Sequence, residues 1–522
     1  MVEGYGFLSV IPPLVAIGLA IVTKQVLPSL FLATWLGALF LAKWNPLGAF
    51  LDTVQKYVVA SISDSWNAAI LAFTFVMFGM CGVLARSGGA KAIANWFARR
   101  SENPRSGQLA TWLMGLIIFI DDYANTMIVG NTMRPLTDRL KISREKLSYI
   151  VDTTAATDSS MAIISSWIGY EMGLIRDAFG KLGIEWGVYL TFLRSIPFRF
   201  YSIFALILVL FLALQRRDYG PMYAAEVRAR TQGKLLRDGA SPLVAKEMTE
   251  AEPPEGAPLR AYNFIIPIVA VIVIAIVGMW YTGGGAEGVS IMEAIGNSDS
   301  SVALLWASVA GSILAIAMVV GQRILTLQEA VDAWVDGGKS VFVACAILVL
   351  AWSLGSVCED LGTAHYIVGI TKGFLSPALV PALIFLVCAG ISFATGTSWG
   401  TMAIVMPLGI PLAYHLGAPM IPTIGAVLTG SVFGDHCSPI SDTTILSSLA
   451  SACDHIDHVT TQLPYALTAA IAAVIVGFIP VGFGLPPYIS LAAGLLALWF
   501  WVRFFGKPTE LEVLAETRTA GE

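Results

Sequence analysis

The stretch GDHCSPISDTTILSS, residues 434–448, is a polar run between two apolar segments. It holds two aspartates, a histidine and a proline among small hydroxyl residues. IPTIGAVLTGSVF precedes it, and LPYALTAAIAAVIVGFIP follows after a short polar gap. At a protein surface this run would be an ordinary loop, whereas at membrane depth every unpaired polar group is costly. The position of the run relative to a membrane therefore decides the fold.

The composition predicts a membrane protein. The chain has 522 residues, of which 56% are hydrophobic and only 13% are charged, and its mean hydropathy is +0.74. A soluble protein carries about 25% charged residues, and about 20 apolar residues are enough to span a bilayer. We therefore expect an all-α polytopic membrane protein. The predicted spans are 6–23, 27–42, 66–86, 147–167, 196–214, 263–281, 301–320, 340–358, 421–448, 463–484 and 486–503.

Two further apolar segments have flanks that do not suit a single span. Residues 86–105 and 134–146 each carry five Lys or Arg residues, which places both on the cytoplasmic side by the positive-inside rule. The segment between them, 108–134, is therefore either two short crossings or a re-entrant hairpin with the polar tip FIDDYANT (119–126). We favour the hairpin, which is allowed at membrane depth where protein or a water-filled cavity buries it.

The second such segment is 379–415, which contains ISFATGTSWGTM (391–402) and has few basic residues beside it. This pattern predicts a second re-entrant hairpin that enters from the outside. Residues 216–262 form the one extended polar linker, with eight Lys or Arg and seven Asp or Glu residues. We expect this linker to be a cytoplasmic connector without a site.

Three pairs of segments indicate an internal repeat with an offset of about 275 residues. The pairs are 78–89 with 352–363, 132–136 with 405–409, and 157–163 with 434–440. An odd number of crossings before the linker places the second half on the opposite side, which predicts an inverted-topology repeat with the site at the repeat interface near the midplane. The predicted division is 1–215 first repeat, 216–262 linker, 263–484 second repeat, and 485–522 final span with cytoplasmic tail.

Ionisable residues at membrane depth are functional candidates because an unpaired buried charge is costly. Asp158 and Asp435 occupy matching places in the two halves, and we predict that they carry Na⁺ and protons, with hard oxygen ligands suited to Na⁺. Asp158 has an alternative role as a helix cap, and Asp152 lies six residues earlier, so one of these two is expected to be structural. The further candidate ion or proton carriers are Asp122, Asp152, His436 and Asp442.

Polar neighbours of these groups are candidates for completing the site. The hydroxyls that can complete a cation shell are Thr157, Ser159, Ser438, Ser441 and Thr443. The hairpin tips offer Asn125, Thr126, Thr397, Ser398 and Trp399 to a substrate. An aromatic residue such as Trp399 at a helix break either stacks on a substrate or only packs. The run DHIDH (454–458) is expected to be a solvated polar turn rather than a metal site.

The segments FIDDYANTMIVGNTMRPLTDRLKISREKLSYIVD, FATGTSWGTMAIVMPLG and GDHCSPISDTTILSS together resemble the NhaC-type sodium/proton antiporter family. More distantly, the layout is similar to the ion transporter superfamily that includes divalent-anion/sodium symporters. This resemblance implies two opposed hairpins, two broken helices, commonly a homodimer, and a multi-pass position in a bacterial or archaeal inner membrane. The ANT at 124–126 and the GTS at 396–398 resemble hairpin tips that bind carboxylate and Na⁺ in those symporters.

These observations predict a secondary transporter that exchanges Na⁺ for H⁺ by alternating access. The surplus of intramembrane carboxylates over Lys and Arg favours a cationic cargo. The alternative is a Na⁺- or H⁺-coupled transporter or exchanger of a small organic acid or amino acid. No nucleophile–base pair, cofactor motif or nucleic-acid-binding pattern is evident, so we expect neither an enzyme nor a nucleic-acid partner; the expected partners are small ions and the lipid bilayer.

Overall fold

The computed structural model describes residues 5–23, 25–242, 256–289, 291–363, 375–439 and 441–509, together with positions 254 and 366. The described chain is mostly helical. The helices before residue 242 are α1 (Ile11–Thr23), α2 (Val26–Leu41), α3 (Pro46–Asp52), α4 (Ala60–Ser63), α5 (Ser65–Arg86), α6 (Gly89–Ala98), α7 (Pro104–Ile117), α8 (Asp122–Arg139), α9 (Arg144–Ser159), α10 (Ile168–Leu182), α11 (Val188–Ser195), α12 (Phe200–Gln215) and α13 (Gly220–Gln232).

The helices of the second half are α14 (Tyr262–Thr282), α15 (Ile291–Asn297), α16 (Ser300–Gly321), α17 (Leu327–Ser340), α18 (Phe342–Asp360), α19 (Val380–Thr395), α20 (Ser398–Leu416), α21 (Met420–Cys437), α22 (Asp442–Ala450), α23 (His455–Ala472), α24 (Ile479–Gly482) and α25 (Pro487–Phe505). Two π-helical turns, Thr53–Val59 and Ala473–Phe478, continue α3 and α23. The strands β1 (Arg217–Asp218) and β2 (Lys507–Pro508) pair antiparallel.

The surface of the protein is suited to lipid. Among the described residues, seven helices are long and apolar enough to cross a membrane, and two bent helix pairs pass the same test when each pair is taken together. Large apolar side chains such as Tyr488, Phe342 and Phe504 are more than two-thirds exposed. Soluble proteins rarely expose apolar patches of this extent. The protein is therefore a multi-pass membrane protein, as the composition predicted.

Glycines allow the closest helix contacts. Gly430 and Gly434 lie four residues apart on one face of α21 and face α19. A Cβ at Gly434 would lie 2.1 Å from the backbone nitrogen of Phe393, and one at Gly430 would lie 2.8 Å from the carbonyl oxygen of Phe385. Small residues at this spacing let helix backbones approach each other in membranes. This contact holds α21, which ends in the polar run, against the first helix of the predicted second hairpin.

The polar linker has more structure than its composition predicted. Within it, β1 and α13 pack beneath α9 and α23, where Lys146 Nζ lies 2.6 Å from Asp218 Oδ1 and both side chains are buried. The Tyr465 hydroxyl donates to the same oxygen at 2.6 Å. Glu226 accepts hydrogen bonds at 2.8 Å from both the backbone nitrogen and the hydroxyl of Ser143. The linker is thus a docked element in its first part, because its charges pair with partners far along the chain.

Candidate functional site

Two pairs of helices meet at short turns inside the protein. Residues 118–121 join α7 to α8, while Gly396 and Thr397 join α19 to α20. Gly396 has φ of +70°, a left-handed conformation that favours glycine. Thr397 then caps α20 by accepting a hydrogen bond of 3.3 Å from the backbone nitrogen of Gly400. The second turn therefore places Ser398 and Trp399 at the start of a helix.

Two other helices are interrupted at polar sequence. The helix α9 ends at Ser159 and α10 begins only at Ile168, so residues 160–167 are not helical. The helix α21 ends at Cys437, and α22 begins at Asp442 with Ser441 as its cap. The span predicted over 147–167 is therefore shorter, since its helix stops at the Ser-rich segment. The polar run 434–448 contains the second interruption.

Asp435 lies in a set of hydroxyls that we call the Asp435 cage, formed by Ser398, Ser441 and Thr443. The Ser398 hydroxyl donates to Oδ2 of Asp435 at 2.8 Å, and the Ser441 hydroxyl donates to Oδ1 at 2.6 Å. The Thr443 hydroxyl lies 3.4 Å from the same Oδ1 and 2.9 Å from the Ser441 hydroxyl. All four side chains are buried. The cage brings together the second turn and the second interruption.

The first turn makes a corresponding contact with the first interruption. The Ser166 hydroxyl donates to Oδ2 of Asp121 at 2.8 Å, and Nε1 of Trp167 donates to Oδ1 of Asp122 at 3.0 Å. The backbone nitrogen of Ser166 donates to the carbonyl oxygen of Ile120 at 2.8 Å. Both carboxylates are buried. In each half, hydrogen bonds therefore join a helix-pair turn to an interrupted helix.

Aromatic rings link the two turns. The Trp399 ring packs edge-on against Trp167 at a centroid distance of 5.6 Å, and it packs in a tilted arrangement against Tyr170 at 4.1 Å. The Tyr170 hydroxyl also donates to the carbonyl oxygen of Trp399 at 2.5 Å. Trp167 in turn contacts Asp122 of the first turn. Trp399 is thus a packing residue in this structure, and it connects the two halves.

Asn125 and its neighbours present oxygen atoms to the interior. The amide nitrogen of Asn125 donates to the carbonyl oxygens of Gly115 and Thr154 at 2.8 Å each. Its Oδ1 is buried and has no hydrogen-bond partner within the described part of the chain, and the same holds for the Thr126 hydroxyl. The hydrogens of the Asn125 amide are already donated and its oxygen is available. Such a group is better suited to bind a cation than to bind a substrate carboxylate.

Asp158 lies on the same side of α9, one turn beyond Thr154. It belongs to the last turn of α9, so it does not precede a helix as an N-terminal cap must. Its Oδ2 and the Ser159 hydroxyl are both buried and lack a hydrogen-bond partner among the described residues. The alternative that Asp158 caps a helix is therefore wrong. The Thr157 hydroxyl instead donates along α9 to the carbonyl oxygen of Thr153.

Asp152 is surrounded by donors on nitrogen rather than by hydroxyls alone. Its Oδ2 lies 3.2 Å from Nε2 of His458 and accepts a hydrogen bond of 2.7 Å from Nε2 of Gln462. Its Oδ1 accepts from the Ser447 hydroxyl at 3.2 Å. Two of its three contacts come from nitrogen atoms, so this cluster differs from the Asp435 cage, in which the donors are hydroxyls. All four side chains are buried.

The run DHIDH is not the solvated turn that its polarity predicted. Asp454 accepts hydrogen bonds of 3.0 and 3.2 Å from the backbone nitrogens of Ile456 and Asp457, which starts α23 at His455. One helical turn later, His458 faces the interior and is buried. Asp457 faces outward and pairs with Arg237. The spacing of His458 and Gln462, four residues apart before an apolar run, is the sequence signal that could have found them.

His436 is buried beside these residues but faces away from the Asp435 cage. Its Nε2 lies 2.9 Å from the Thr153 hydroxyl, and its Nδ1 lies 2.5 Å from the Tyr201 hydroxyl. Its carbonyl oxygen accepts a hydrogen bond from Gln462. His436 therefore connects α9, α12, α21 and α23 rather than the two turns.

Sequence reasoning missed a buried ion pair. Nη2 of Arg199 lies 2.7 Å from Oε2 of Glu171, and its Nη1 lies 3.2 Å from Oε1, with both side chains fully buried. Arg199 also donates to the carbonyl oxygen of Ser160, the first residue after α9. The pair therefore holds the first interruption in place. It also places a cationic side chain in the interior that the comparison of intramembrane carboxylates with Lys and Arg did not include.

The remaining predicted residues have minor or undescribed positions. The Ser438 hydroxyl donates to the carbonyl oxygen of Phe393 at 2.8 Å. Asp442 is the first residue of α22, but its side chain lies outside the described part of the structure. Among the described residues, no group of three or more His, Cys, Asp or Glu side chains could hold a metal ion.

A cavity of about 880 Å³ lies beside the second helix pair. It is bounded by the ends of α10 and α18 and by the outer part of α20, and its lining includes Lys181, Gly355, Glu359, Pro407 and Pro411. Its volume falls in the range of small-molecule pockets. The Lys181 ammonium in its wall lies 2.6 Å from a carboxylate oxygen of Asp177.

A membrane-spanning helical fold with polar turns and interrupted helices in its interior defines a multi-pass membrane transporter. The model of the Na⁺/H⁺ antiporter family matches residues 159–483, and the chain belongs to this family. It is a transporter rather than an enzyme, and the family predicted from its motifs is confirmed.

Related proteins cover different shares of the chain. An uncharacterized protein from Haemophilus influenzae is 35% identical over 509 residues, which is 95% of each chain. The malate-2H⁺/Na⁺-lactate antiporter of Bacillus subtilis is 33% identical over 174 residues, covering 31% of this chain and 36% of its own. The crystal structure of the YdaH transporter of Alcanivorax borkumensis has a similar fold, with a TM-score of 0.56 and 14% identity over 84% of this chain and 89% of that one.

Proposed function

We propose that this protein exchanges Na⁺ for H⁺ by alternating access across a bacterial or archaeal inner membrane. The observation that carries this proposal is the Asp435 cage, in which a buried carboxylate is bound by hydroxyls from two different elements. A carboxylate with hydroxyl oxygens is a set of hard ligands that suits Na⁺. A hydroxyl that now donates to the carboxylate can turn its lone pairs to a cation.

Oxygen atoms of the first half support a second cation position. Asp158, Ser159, Asn125 and Thr126 each contribute a buried oxygen that makes no hydrogen bond to another described residue. Asp158 matches Asp435 in the sequence repeat, and both halves join a turn to an interrupted helix. These correspondences support inverted repeats over residues 1–215 and 263–484, with two re-entrant hairpins, a linker between the repeats and a final span after them.

The exchange follows from the cost of buried charge. A bound Na⁺ would neutralise Asp435 and tie Ser398 of the second hairpin to Ser441 of the interrupted helix. Release of the ion removes one positive charge from beside this buried carboxylate, which is unfavourable. The return step therefore requires that the interior gain another positive charge, and a proton from the opposite side supplies it. Each state of the cycle is selected by the ion that it binds more tightly.

Reconstituted protein provides the test. Proteoliposomes that contain a pH dye are diluted into Na⁺, and the luminal pH is expected to rise as Na⁺ enters and protons leave. Liposomes with an Asp435→Asn variant serve as the matched control and are expected to show no change. The proposal is wrong if Na⁺ produces no proton movement in the wild-type vesicles.

A second candidate function is coupled exchange of a small organic acid or amino acid. The cavity of about 880 Å³ beside the second helix pair favours it, since a cation alone needs no volume of that size. The partly similar Bacillus subtilis relative is a malate-2H⁺/Na⁺-lactate antiporter. In the same vesicles, this function predicts that Na⁺ uptake starts only when an organic acid is added on one side.

A further inference from the structure

The buried cluster around Asp152 contains His458 and Gln462, which are not part of the Asp435 cage. His458 and Gln462 lie on one face of α23, and both place Nε2 against Oδ2 of Asp152, at 3.2 and 2.7 Å. His458 is fully buried, and Asp152 is 1% exposed. The cluster joins α9 to α23, whereas the Asp435 cage joins α20 to α21 and α22.

The protonation pattern of His458 follows from its partners. An ionised carboxylate only accepts hydrogen bonds, so Nε2 of His458 carries the hydrogen that points to Asp152. Nδ1 of His458 is buried and has no hydrogen-bond partner among the residues that the structure describes. A hydrogen on Nδ1 would be a buried donor without an acceptor, which is costly. The arrangement therefore fits a neutral imidazole whose Nδ1 lone pair is available to a proton.

We propose that His458 is the proton-carrying group of this transporter and that Asp152 is its counter-ion, at a site separate from the Asp435 cage. This inference rests on the proposed Na⁺/H⁺ exchange. The two sites differ in their donors, because hydroxyls bind Asp435, whereas His458 and Gln462 place nitrogen atoms against Asp152. One proton binds Nδ1 of His458 on one side of the membrane and leaves on the other.

The groups around His458 make the exchange consistent in charge. Asp152 faces it from α9, and His436 of α21 lies beyond Gln462. Farther along α23, Tyr465 contacts the ion pair of Lys146 with Asp218. A state with Na⁺ at Asp435 and neutral His458 has the same interior charge as a state with an empty cage and cationic His458.

Protonation also favours a change of conformation. A proton on Nδ1 has no acceptor in this arrangement, so cationic His458 is more stable in another arrangement where Nδ1–H reaches water or an acceptor. Binding of the proton thus shifts the protein away from the present state. This shift is the step that couples proton uptake to the movement of the emptied cation site.

The test separates two exchange modes in proteoliposomes that contain the full chain. The first mode is exchange of ²²Na⁺ for Na⁺ at equal pH on both sides, which needs no proton. The second mode is Na⁺-driven proton movement, followed with a luminal pH dye. The variant His458→Gln keeps an N–H near Asp152 but cannot be protonated. The matched control is Asp457→Asn, which removes the partly buried carboxylate one residue earlier that pairs with Arg237.

His458→Gln is expected to retain Na⁺/Na⁺ exchange and to lose proton movement by roughly 100-fold, the scale of a lost proton-transfer group. Asp457→Asn should retain both modes. Proton movement at the wild-type rate in His458→Gln overturns the inference but leaves Na⁺/H⁺ exchange standing. Absence of proton movement in the wild type instead overturns the proposed function itself. Loss of both modes in folded His458→Gln also overturns a separate proton site.

Labelled histidine gives a second measurement if His458→Gln does not fold. Wild-type protein with ¹³C-labelled imidazoles is titrated with Na⁺ at constant pH. One imidazole signal is expected to move from its cationic to its neutral position as Na⁺ binds. No such movement for any of the histidines overturns the inference.

Discussion

Ser398 and Asp435 are joined by a hydrogen bond of 2.8 Å from the serine hydroxyl to Oδ2 of the carboxylate. Ser398 begins α20 and Asp435 is near the end of α21, so this bond connects the turn of one helix pair to an interrupted helix. Ser441 binds the other carboxylate oxygen at 2.6 Å. The carboxylate is therefore fixed from two sides by groups that can also coordinate a cation.

Asp435→Asn is expected to abolish Na⁺-coupled transport with little effect on folding. The amide keeps the shape of the side chain but removes the negative charge and replaces one acceptor with a donor. Loss of a charged ligand lowers Na⁺ uptake by at least about 100-fold, to the level of liposomes without protein. The measurement is ²²Na⁺ uptake into proteoliposomes, with thermal unfolding as the check on folding.

Asp336→Asn is the matched control for that variant because Asp336 is exposed in α17 and pairs with the neighbouring Lys339. It should transport at the wild-type rate. Wild-type uptake by Asp435→Asn would remove Asp435 from the ion site.

Ser441→Ala is expected to weaken Na⁺ binding without removing transport. The substitution deletes one neutral oxygen ligand while the carboxylate remains, and a loss of about 1.4 kcal/mol raises the half-saturating Na⁺ concentration about tenfold. Initial rates of ²²Na⁺ uptake over a range of Na⁺ concentrations measure it. Ser308→Ala in α16, whose hydroxyl bonds its own helix at Leu305, should leave that concentration unchanged. An unchanged value in Ser441→Ala contradicts a direct role for this hydroxyl.

Gly434→Ala is expected to destabilise the protein. Its Cβ would lie 2.1 Å from the backbone nitrogen of Phe393, and backbone cannot move aside as a flexible side chain can. Overpacking of this kind costs about 1–3 kcal/mol. The control is Gly390→Ala in α19, the helix that packs against α21. Its added Cβ meets nothing within 4 Å, so it should not lower the melting temperature. Equal melting temperatures for the two variants would show that α21 and α19 can separate without cost.

The sequence predicted the parts of this structure that depend on local pattern. Apolar length identified long membrane helices such as Ser65–Arg86 and Tyr262–Thr282, although the helix in the span predicted over 147–167 already ends at Ser159. The small polar residues of 434–448 identified the segment that holds Asp435. The hydroxyls of the cage were among the candidates because they lie in the same polar segments. Helix breaks follow from residues with low helix propensity, and that information is local.

The residues that the sequence did not reveal depend on contacts between distant segments. The polarity of the run DHIDH predicts a turn at His458, and only the cap at Asp454 shows that a helix has already begun. Its partner Asp152 lies 306 residues away. Arg199 stands at the predicted edge of a span, where a cation is ordinary, and only the position of Glu171 makes it a buried group. The residue pattern within a single segment does not reveal that His458 pairs with Asp152 or that Arg199 pairs with Glu171.

Arg199→Met is expected to be strongly destabilising because it leaves Glu171 buried without a counter-charge. Removing one partner of a buried ion pair costs about 3–5 kcal/mol, whereas replacing both partners with apolar residues is often neutral. The double variant Arg199→Met/Glu171→Met should therefore melt at a higher temperature than Arg199→Met alone. Thermal unfolding in detergent, followed by tryptophan fluorescence, measures the wild type, Arg199→Met and the double variant.

Lys339→Met, which breaks the exposed pair with Asp336, is the control and should change the melting temperature little. If the double variant regains stability but not ²²Na⁺ uptake, the pair is needed to hold the 160–167 segment for transport. If Arg199→Met melts like the wild type, the ion pair does not support the first interruption.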